Sequence, residues 1–383
     1  MPARLRIGVN ALYLIPGGVG GTEIYLRNLL RALAAVDHRN EYVVYANSET
    51  DAELCPGAPN FEFKATGVRA RFRPGRLLWE QMALPWSGRR GNLDVLFCPG
   101  FTAPYFARPS RVTVIHDLQH KRQPGNFGLL ERSAWNLSVA AAVRSSEQLI
   151  TVSENSRRDI ESIYGKRNGR LHVIPHGVEP AFFGLRQSED FPLDLLRQAG
   201  MPAGPYLLAV STLHPHKNWP RLLEAFKRLR MKRPDLRLAG CGLPGKSSAA
   251  VQEHVRAAGL EESVRLLGWL PRRTVVALYK HAEALVFPST FEGFGMPVAE
   301  ALAAELPVVC SDIPPLREIA DGCAYFFDPR SADELAGALE RVLLDPFTRK
   351  KQVLEGRRRA ESLTWTRAAE RTLAVFLAAA WRR

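Results

Sequence analysis

Length, composition and charge narrow the class of protein before any motif is considered. The chain has 383 residues, 46% of them hydrophobic, which excludes a disordered protein and is too long for one small core. No apolar run approaches the roughly 20 residues that cross a bilayer, and a strand pattern starts near the N-terminus without a signal-peptide core, which predicts a cytoplasmic protein. The net charge of +13 indicates an anionic partner: nucleic acid, a membrane surface or phosphorylated small molecules.

Short apolar runs alternate with helical patterns along the chain, which predicts parallel sheets covered by helices on both faces. The predicted strands of the first half are 5–9, 42–45, 94–97, 112–115, 148–152 and 171–174. Those of the second half are 206–210, 236–239, 264–267, 284–287, 307–310 and 324–327. This count fits two doubly wound, Rossmann-like α/β domains.

The domain boundary is expected in the stretch 178–190, where glycine, proline and acidic residues interrupt both periodicities. We place the first domain at 1–183 and the second at 184–365. The C-terminal stretch is apolar and helical in period, so we expect a helix over 366–383 that packs back on the first domain.

Each half opens with a strand that leads into a loop able to hold an anion. In the first half, the glycines at 17, 18, 20 and 21 precede a helical pattern over 24–33, and glycine lets the backbone approach a ligand closely. A flexible surface loop is the alternative. In the second half, Lys217 stands just ahead of a helix predicted over 219–231, where it can supply a positive charge to phosphate oxygens. A solvated surface lysine is the alternative there.

Two histidines also follow predicted strands. His116 comes directly after the strand at 112–115, and His176 follows the strand at 171–174. Because ligands of open α/β sheets bind outside the carboxyl ends of the strands, both positions face the expected cleft.

Two glutamates, Glu292 and Glu300, flank the turn after the predicted strand at 284–287. Pro297 suits the first position of a helix, so Glu292 is expected in a loop and Glu300 in the first helical turn. The first N–H groups of such a helix attract anions, and the two carboxylates would grip hydroxyl groups on either side of the bound phosphates. A solvated loop glutamate beside an acidic residue that suits the helix dipole is the alternative.

Taken in order, these motifs resemble those of one family. The motifs are Gly17-Gly18-Val19-Gly20-Gly21-Thr22-Glu23, His116-Asp117, Thr151-Val152-Ser153-Glu154, Val173-Ile174-Pro175-His176-Gly177-Val178, Ser211-Thr212-Leu213-His214-Pro215-His216-Lys217-Asn218 and Phe291-Glu292-Gly293-Phe294-Gly295-Met296-Pro297-Val298-Ala299-Glu300-Ala301. Over nearly its whole length the chain resembles the group 1, retaining glycosyltransferases of family 4. The resemblance implies the GT-B fold, in which two doubly wound Rossmann-like domains face each other across a cleft.

The resemblance also implies a function and a set of site residues. A sugar, such as mannose or another hexose, would pass from a nucleotide-diphospho-sugar to a glycan or lipid-linked acceptor in cell-surface polysaccharide or glycolipid synthesis. Glu300 would hold the ribose, Glu292 the transferred sugar, Lys217 the diphosphate, and His116 would lie near the reacting centre. The remaining donor-binding residues would be Gly20, Gly21, Ser211, His216, Phe294, Gly295 and Met296. Thr212 occupies the place where many members carry an arginine, so His216 is expected to replace part of that charge.

No metal cofactor is expected, because the sequence contains no Asp-X-Asp and its five cysteines show no metal-ligand spacing. The stretch 68–79 interleaves four arginines with Phe72 and Trp79, and Arg89-Arg90 follows. It is interpreted either as a surface for an anionic membrane or a polyprenyl-linked acceptor, or as a solvated basic loop.

Two rival functions stay open at this point. A sugar-nucleotide epimerase or a phosphorylase would share the fold, and a basic nucleic-acid-binding protein would explain the charge. The latter lacks a recognition module, so we expect no nucleic-acid partner.

Overall fold

In the computed structural model, residues 4–18, 20–188 and 190–381 are described, and the chain forms two compact units. Unit 1 contains the residues up to Gly177 together with those from Trp365 onward, and unit 2 runs from Val178 to Thr364. The cysteines are unpaired, and four of the five are buried. Among the described residues, no helix combines the length and the hydropathy needed to span a bilayer.

Unit 1 is built on a parallel sheet that has seven strands among the described residues. The strands are β1 Arg6–Ala11, β2 Glu41–Ala46, β3 Phe61–Ala65, β4 Val95–Cys98, β5 Ser110–Val114, β6 Gln148–Thr151 and β7 Leu171–Val173. Their order is β3-β2-β1-β4-β5-β6-β7, so the order reverses beside β1. Six of the strands were predicted; β3 was not, because the charged residues Glu62 and Lys64 interrupt its apolar residues and leave no continuous apolar run.

The helices of unit 1 cover this sheet. Those that precede Val178 are α1 Gly21–Val36, α2 Arg73–Arg90, α3 Gln119–Arg122, α4 Leu129–Ser145 and α5 Glu154–Tyr164, with short 3₁₀ turns at Ala52–Leu54 and Pro124–Asn126. Helix α1 begins at Gly21 rather than at residue 24. Gly20, which precedes it, has a φ of 62°, a conformation that glycine adopts without steric cost.

Unit 2 contains the second parallel sheet, in which six strands are described and all six were predicted. They are β8 Tyr206–Val210, β9 Arg237–Cys241, β10 Val264–Gly268, β11 Ala284–Phe287, β12 Val308–Ser311 and β13 Tyr325–Phe327. The order is β10-β9-β8-β11-β12-β13, so the reversal lies between β8 and β11. The loops that follow β8 and β11 therefore form the crevice where such sheets bind ligands.

Helices pack on this second sheet as well. They are α6 Asp194–Gln198, α7 Trp219–Arg230, α8 Ser248–Ala257, α9 Arg272–His281, α10 Met296–Ala303, α11 Pro314–Ala320, α12 Ala332–Leu344 and α13 Pro346–Ala360, with 3₁₀ turns at Pro180–Phe182 and Pro215–Lys217. A large buried cluster joins α7 and α12 to the strands. The two predicted parallel sheets are thus confirmed.

The chain passes between the units at two neighbouring points. Val178 and Thr364 form an isolated parallel bridge, and the Val178 N–H donates to the Leu363 carbonyl over 2.8 Å. The units divide before Val178 rather than after residue 183, because Phe182 is fully buried against Tyr279 of unit 2, with ring centroids 5.1 Å apart. The last helix, α14 Trp365–Ala380, packs on α1 and on the strands of unit 1.

Candidate functional site

The loops after β8 and β11 are tied together at their backbones. The Thr290 N–H donates to the His216 carbonyl over 2.7 Å. Asn218 takes a left-handed conformation at the start of α7, and its side-chain amide donates to the Pro329 carbonyl over 2.7 Å. These bonds fix the short turn that carries Lys217 beside the loop that carries Glu292.

Lys217 and Glu292 form an ion pair at this junction. Their Nζ and Oε1 atoms lie 2.6 Å apart, and the two side chains are only 15% and 12% exposed. The ammonium also lies 5.3 Å from the centre of the Phe287 ring. The structure therefore brings together the cation predicted to hold a diphosphate and the carboxylate predicted to address a sugar.

Helix α10 follows this loop, and its start differs from the prediction. It begins at Met296, after Gly295 with a φ of 113°, so Pro297 is not its first residue and its first turn contains no acidic residue. The expectation that Glu300 lies in the first turn is wrong, because the helix starts before Pro297. Two features disfavour any side chain at position 295. A Cβ there would lie 2.5 Å from Leu316, and L-residues rarely adopt this φ.

Glu300 is almost completely buried and is held by two side chains from α9. The Arg272 guanidinium pairs with Oε1 of Glu300, and the Tyr279 hydroxyl donates to Oε2 over 2.8 Å. Arg272 also pairs with Glu179, whose Oε1 lies 2.7 Å from Nη2, and it packs over the Phe182 ring.

Burial alone would lower the pKa of Arg272, but the two neighbouring carboxylates outweigh it and raise that pKa, so the guanidinium is permanently charged. Burial and the charge of Glu300 raise the pKa of Tyr279 far above its usual range, so its hydroxyl keeps the proton that it donates. Glu300 is thus held by one fixed charge and one fixed hydrogen bond.

Sequence reasoning missed Arg272, Tyr279 and Glu179. One signal was present: Arg272 opens α9, and the positive end of a helix dipole disfavours a cation at that position. A cation placed there indicates a specific partner, although the sequence does not identify Glu300 as that partner.

The other predicted residues of unit 2 surround the same loops. Ser211 directly follows β8, and its hydroxyl accepts from the Trp219 indole N–H over 3.2 Å. Phe294 is buried and Met296 is half-buried at the start of α10. The pKa of His216 is lowered to about 3 by burial and by the nearby Lys217 and His214, so at neutral pH this ring offers a hydrogen bond rather than a charge.

In unit 1, the glycine loop is closed by Glu23. The Gly17 N–H donates to the Glu23 carboxylate over 2.8 Å, and Arg27 pairs with the other oxygen at 2.9 Å. Gly20 and Gly21 lie where α1 begins, whereas Val19 lies outside the described residues. The first residue of α1 therefore has no side chain that would cover its N–H group.

His116 is buried among aromatic rings of unit 1. Its Nε2 lies 3.0 Å from the Pro99 carbonyl, and its ring contacts those of Tyr25, Phe101 and His176 at 4.9–5.5 Å between centroids. Burial lowers the pKa of His116 to about 4, so the imidazole is neutral at pH 7. It can donate or accept a hydrogen bond but carries no charge.

Helix α2 presents an apolar and basic surface in unit 1. Leu78, Met82 and Trp86 recur every four residues and are 55–69% exposed, and the Arg90 guanidinium lies 3.7 Å from the centre of the Trp86 ring. An adjoining surface cavity of about 480 Å³ is lined by Met82, Pro85, Trp86, Arg89, Tyr105, Phe106, Ala107, Arg108 and Arg111. We use the name α2 surface for Leu78 and Arg90 together with the residues that line this cavity.

Comparisons with known proteins match each half of the chain to a family of glycosyltransferases. The model for glycosyl transferases group 1 matches residues 198–359, and the model for Glycosyltransferase Family 4 matches residues 19–182. An MMP alpha-(1->4)-mannosyltransferase of Mycolicibacterium hassiacum is 30% identical over 93% of this chain and 94% of its own length. The O-antigen chain mannosyltransferase B of Escherichia coli is 26% identical over 72% of this chain and 73% of its own length.

Among solved structures, Anabaena Alr3699/HepE in complex with UDP-glucose has the same fold. The TM-score is 0.75 at 18% identity, and the match covers 97% of this chain and 100% of the other. Both parallel sheets, the motif loops and the matches to both family models lead to one conclusion: this chain belongs to the group 1 glycosyltransferases of family 4, with the GT-B fold.

Proposed function

We propose that the protein transfers a hexose from a nucleotide-diphospho-sugar to a glycan or lipid-linked acceptor, with retention of anomeric configuration, in cell-surface polysaccharide or glycolipid synthesis. The observation that carries this proposal is the position of the Lys217–Glu292 pair beside the first turn of α10. A cation, a carboxylate and the glycine-rich backbone that leads into α10 then lie together, and these groups suit phosphate and sugar hydroxyls.

Several relatives support the donor class. Alr3699/HepE was solved with UDP-glucose, and two of the relatives are named as mannosyltransferases. We infer a nucleotide-diphospho-sugar whose sugar is mannose or another hexose. Glu300 would bind the ribose, and Glu292 would bind the transferred sugar.

The reaction requires stabilisation of separated charge. The bond between the sugar C1 and the phosphate oxygen breaks, and its electron pair leaves with the nucleoside diphosphate. The acceptor hydroxyl attacks C1 from the same face and passes its proton to the departing phosphate. Within unit 2, Lys217 and the backbone of the glycine-rich loop that leads into α10 would stabilise the phosphate charge.

The α2 surface supports a lipid-linked acceptor. Exposed apolar side chains beside arginines suit a polyprenyl chain with its phosphates, or the surface of an anionic membrane in which such a lipid lies. We infer peripheral attachment of the protein to such a membrane through unit 1.

A two-step experiment tests the proposal. Thermal-shift screening against a panel of nucleotide-sugars should identify the donor as the compound that raises the melting temperature. Nucleoside diphosphate should then appear in quantity only when an acceptor is supplied. Turnover of the donor alone, without transfer, would instead support an epimerase, and transfer that depends on inorganic phosphate would support a phosphorylase. Salt-dependent binding to nucleic acid without binding of any donor would support the third alternative.

A further inference from the structure

Four side chains of unit 2 form a connected network around Glu300, which we call the Glu300 clamp: Glu179, Arg272, Tyr279 and Glu300. Oε1 of Glu179 lies 2.8 Å from Nε and 2.7 Å from Nη2 of Arg272. Arg272 Nη2 also donates to Oε1 of Glu300, and the Tyr279 hydroxyl donates to Oε2 over 2.8 Å. Each oxygen of the Glu300 carboxylate therefore receives a different donor.

The clamp leaves Glu300 able to bind a ligand. An ionised carboxylate offers about four acceptor positions on its two oxygens, and the clamp uses one position on each. The remaining position on each oxygen is suited to one of two adjacent hydroxyl groups. Because both oxygens are anchored, the carboxylate cannot rotate to suit another pattern of donors.

Arg272 is held more firmly than a surface arginine. Its guanidinium lies 4.9 Å from the centre of the Phe182 ring, and Glu179 engages two of its nitrogens. Glu179 immediately follows Val178, whose bridge to Thr364 fixes the start of unit 2. The position of Arg272 is thus set from outside the candidate site before any ligand binds.

We propose that Arg272 and Tyr279 are positioning residues that orient Glu300 to recognise the 2′,3′-diol of a ribonucleoside diphosphate, with Glu179 holding Arg272 in place. This inference rests on the proposed function and deepens it, because it assigns the selection of ribose over deoxyribose to residues that need not touch the ligand. Arg272 also supplies unit 2 with a half-buried cation on α9, which lies outside the motif loops.

The test combines changes in the protein with changes in the ligand. The affinities of UDP, GDP and ADP are first measured by calorimetry, and the tightest of the three is compared with its 2′-deoxy and 3′-deoxy forms. A hydrogen bond to a charged group corresponds to roughly a 10- to 100-fold difference, so wild type should bind the ribonucleotide that much more tightly. In Arg272→Met and in Tyr279→Phe this ratio should fall below about 3-fold, while Arg272→Lys should keep part of it.

Arg273→Met is the matched control. Arg273 is the next residue of α9, is exposed and donates to the Asp190 carbonyl rather than to Glu300, so its variant should keep the wild-type ratio. A merely structural role for Arg272 would weaken the binding of ribonucleotide and deoxyribonucleotide equally and leave the ratio unchanged.

The outcomes separate this inference from the proposed function. If wild type binds none of the three nucleotides, the proposed donor class falls and the clamp's role falls with it. If wild type discriminates between the sugars but Arg272→Met and Tyr279→Phe discriminate equally well, or if Arg272→Met binds the ribonucleotide more tightly, the clamp inference is wrong while the proposed function stands. Tyr279→Phe removes one hydroxyl only, so it decides the matter even if Arg272→Met fails to fold.

Discussion

Lys217 and Glu292 are 75 residues apart in the chain, yet their Nζ and Oε1 atoms lie 2.6 Å apart. Both side chains are largely withdrawn from solvent, so each charge depends on the other for a partner. In the proposed reaction, the Lys217 ammonium would bind the departing diphosphate, and the Glu292 carboxylate would accept a hydrogen bond from a hydroxyl of the reacting sugar. Removing either residue should therefore affect the reaction through both groups.

Replacement of Lys217 by alanine should lower turnover by on the order of 10²–10³, which is typical for the loss of one preorganised donor to developing charge. Circular dichroism should show an intact fold. Lys227→Ala is the matched control, because Lys227 is exposed on α7 and is not one of the predicted site residues. Turnover of Lys217→Ala within about threefold of the control would remove Lys217 from the proposed mechanism.

The two glutamates should respond differently to substitution. Glu300→Ala should mainly raise the KM for the donor, because the ribose that Glu300 is proposed to bind does not change during the reaction. Glu292→Gln should mainly lower kcat, because an interaction that strengthens in the transition state is lost. Initial rates over a range of donor concentrations separate the two effects, and equal defects in binding alone would contradict the division of roles.

We predict that transfer does not require a divalent metal. Among the described residues, no group of three or more histidine, cysteine, aspartate or glutamate side chains has the arrangement of a metal site. The phosphate charge would then be met by Lys217 and backbone N–H groups. Activity should survive excess chelator; loss of activity that added magnesium or manganese restores would show that this assignment is incomplete.

Attachment to anionic vesicles should depend on the arginines around α2. Replacing Arg69, Arg71, Arg89 and Arg90 by glutamine should reduce flotation with liposomes that contain anionic lipid. Added salt should also reduce flotation of the wild type, because exposed charges are screened within roughly 8 Å at physiological ionic strength. The control replaces four other exposed arginines of unit 1 and removes the same charge: Arg31, Arg144, Arg158 and Arg170. Equal flotation of both variants would place the contact elsewhere.

His116 should make stability depend on pH in a defined direction. Its pKa is about 4 in the folded protein, below the usual value of 6.5, so the unfolded chain binds the proton more readily. The contribution of the neutral ring is present above pH 6.5 and is lost as the pH falls towards 4, by about 3 kcal/mol in all. The melting temperature of His116→Gln should fall less steeply over this range than that of wild type. His38→Gln, at an exposed position, should follow wild type; a parallel curve for His116→Gln would refute the assignment.

The features that could be predicted from the sequence were those marked by a continuous apolar run or by a local motif. The strands with continuous apolar runs were predicted, whereas β3 was missed because Glu62 and Lys64 interrupt its apolar residues. Glu292, Glu300 and Lys217 could be proposed as site residues because each stands in a recognisable motif. Arg272 and Tyr279 were missed because their contact with Glu300 depends on how α9 packs against α10, and no spacing in the chain encodes that contact.

The bridge between Val178 and Thr364 bears on whether unit 2 can be exchanged between related proteins. Unit 2 is one continuous segment whose two ends are hydrogen-bonded neighbours, whereas unit 1 is assembled from two segments. A segment with adjacent ends can be cut out and replaced with little demand on the chain that receives it. We therefore expect that residues 178–364 can be exchanged for the corresponding segment of a relative. Such a chimaera would acquire another donor preference while the α2 surface stayed unchanged, so the choice of nucleotide-sugar would be a transplantable property of this chain.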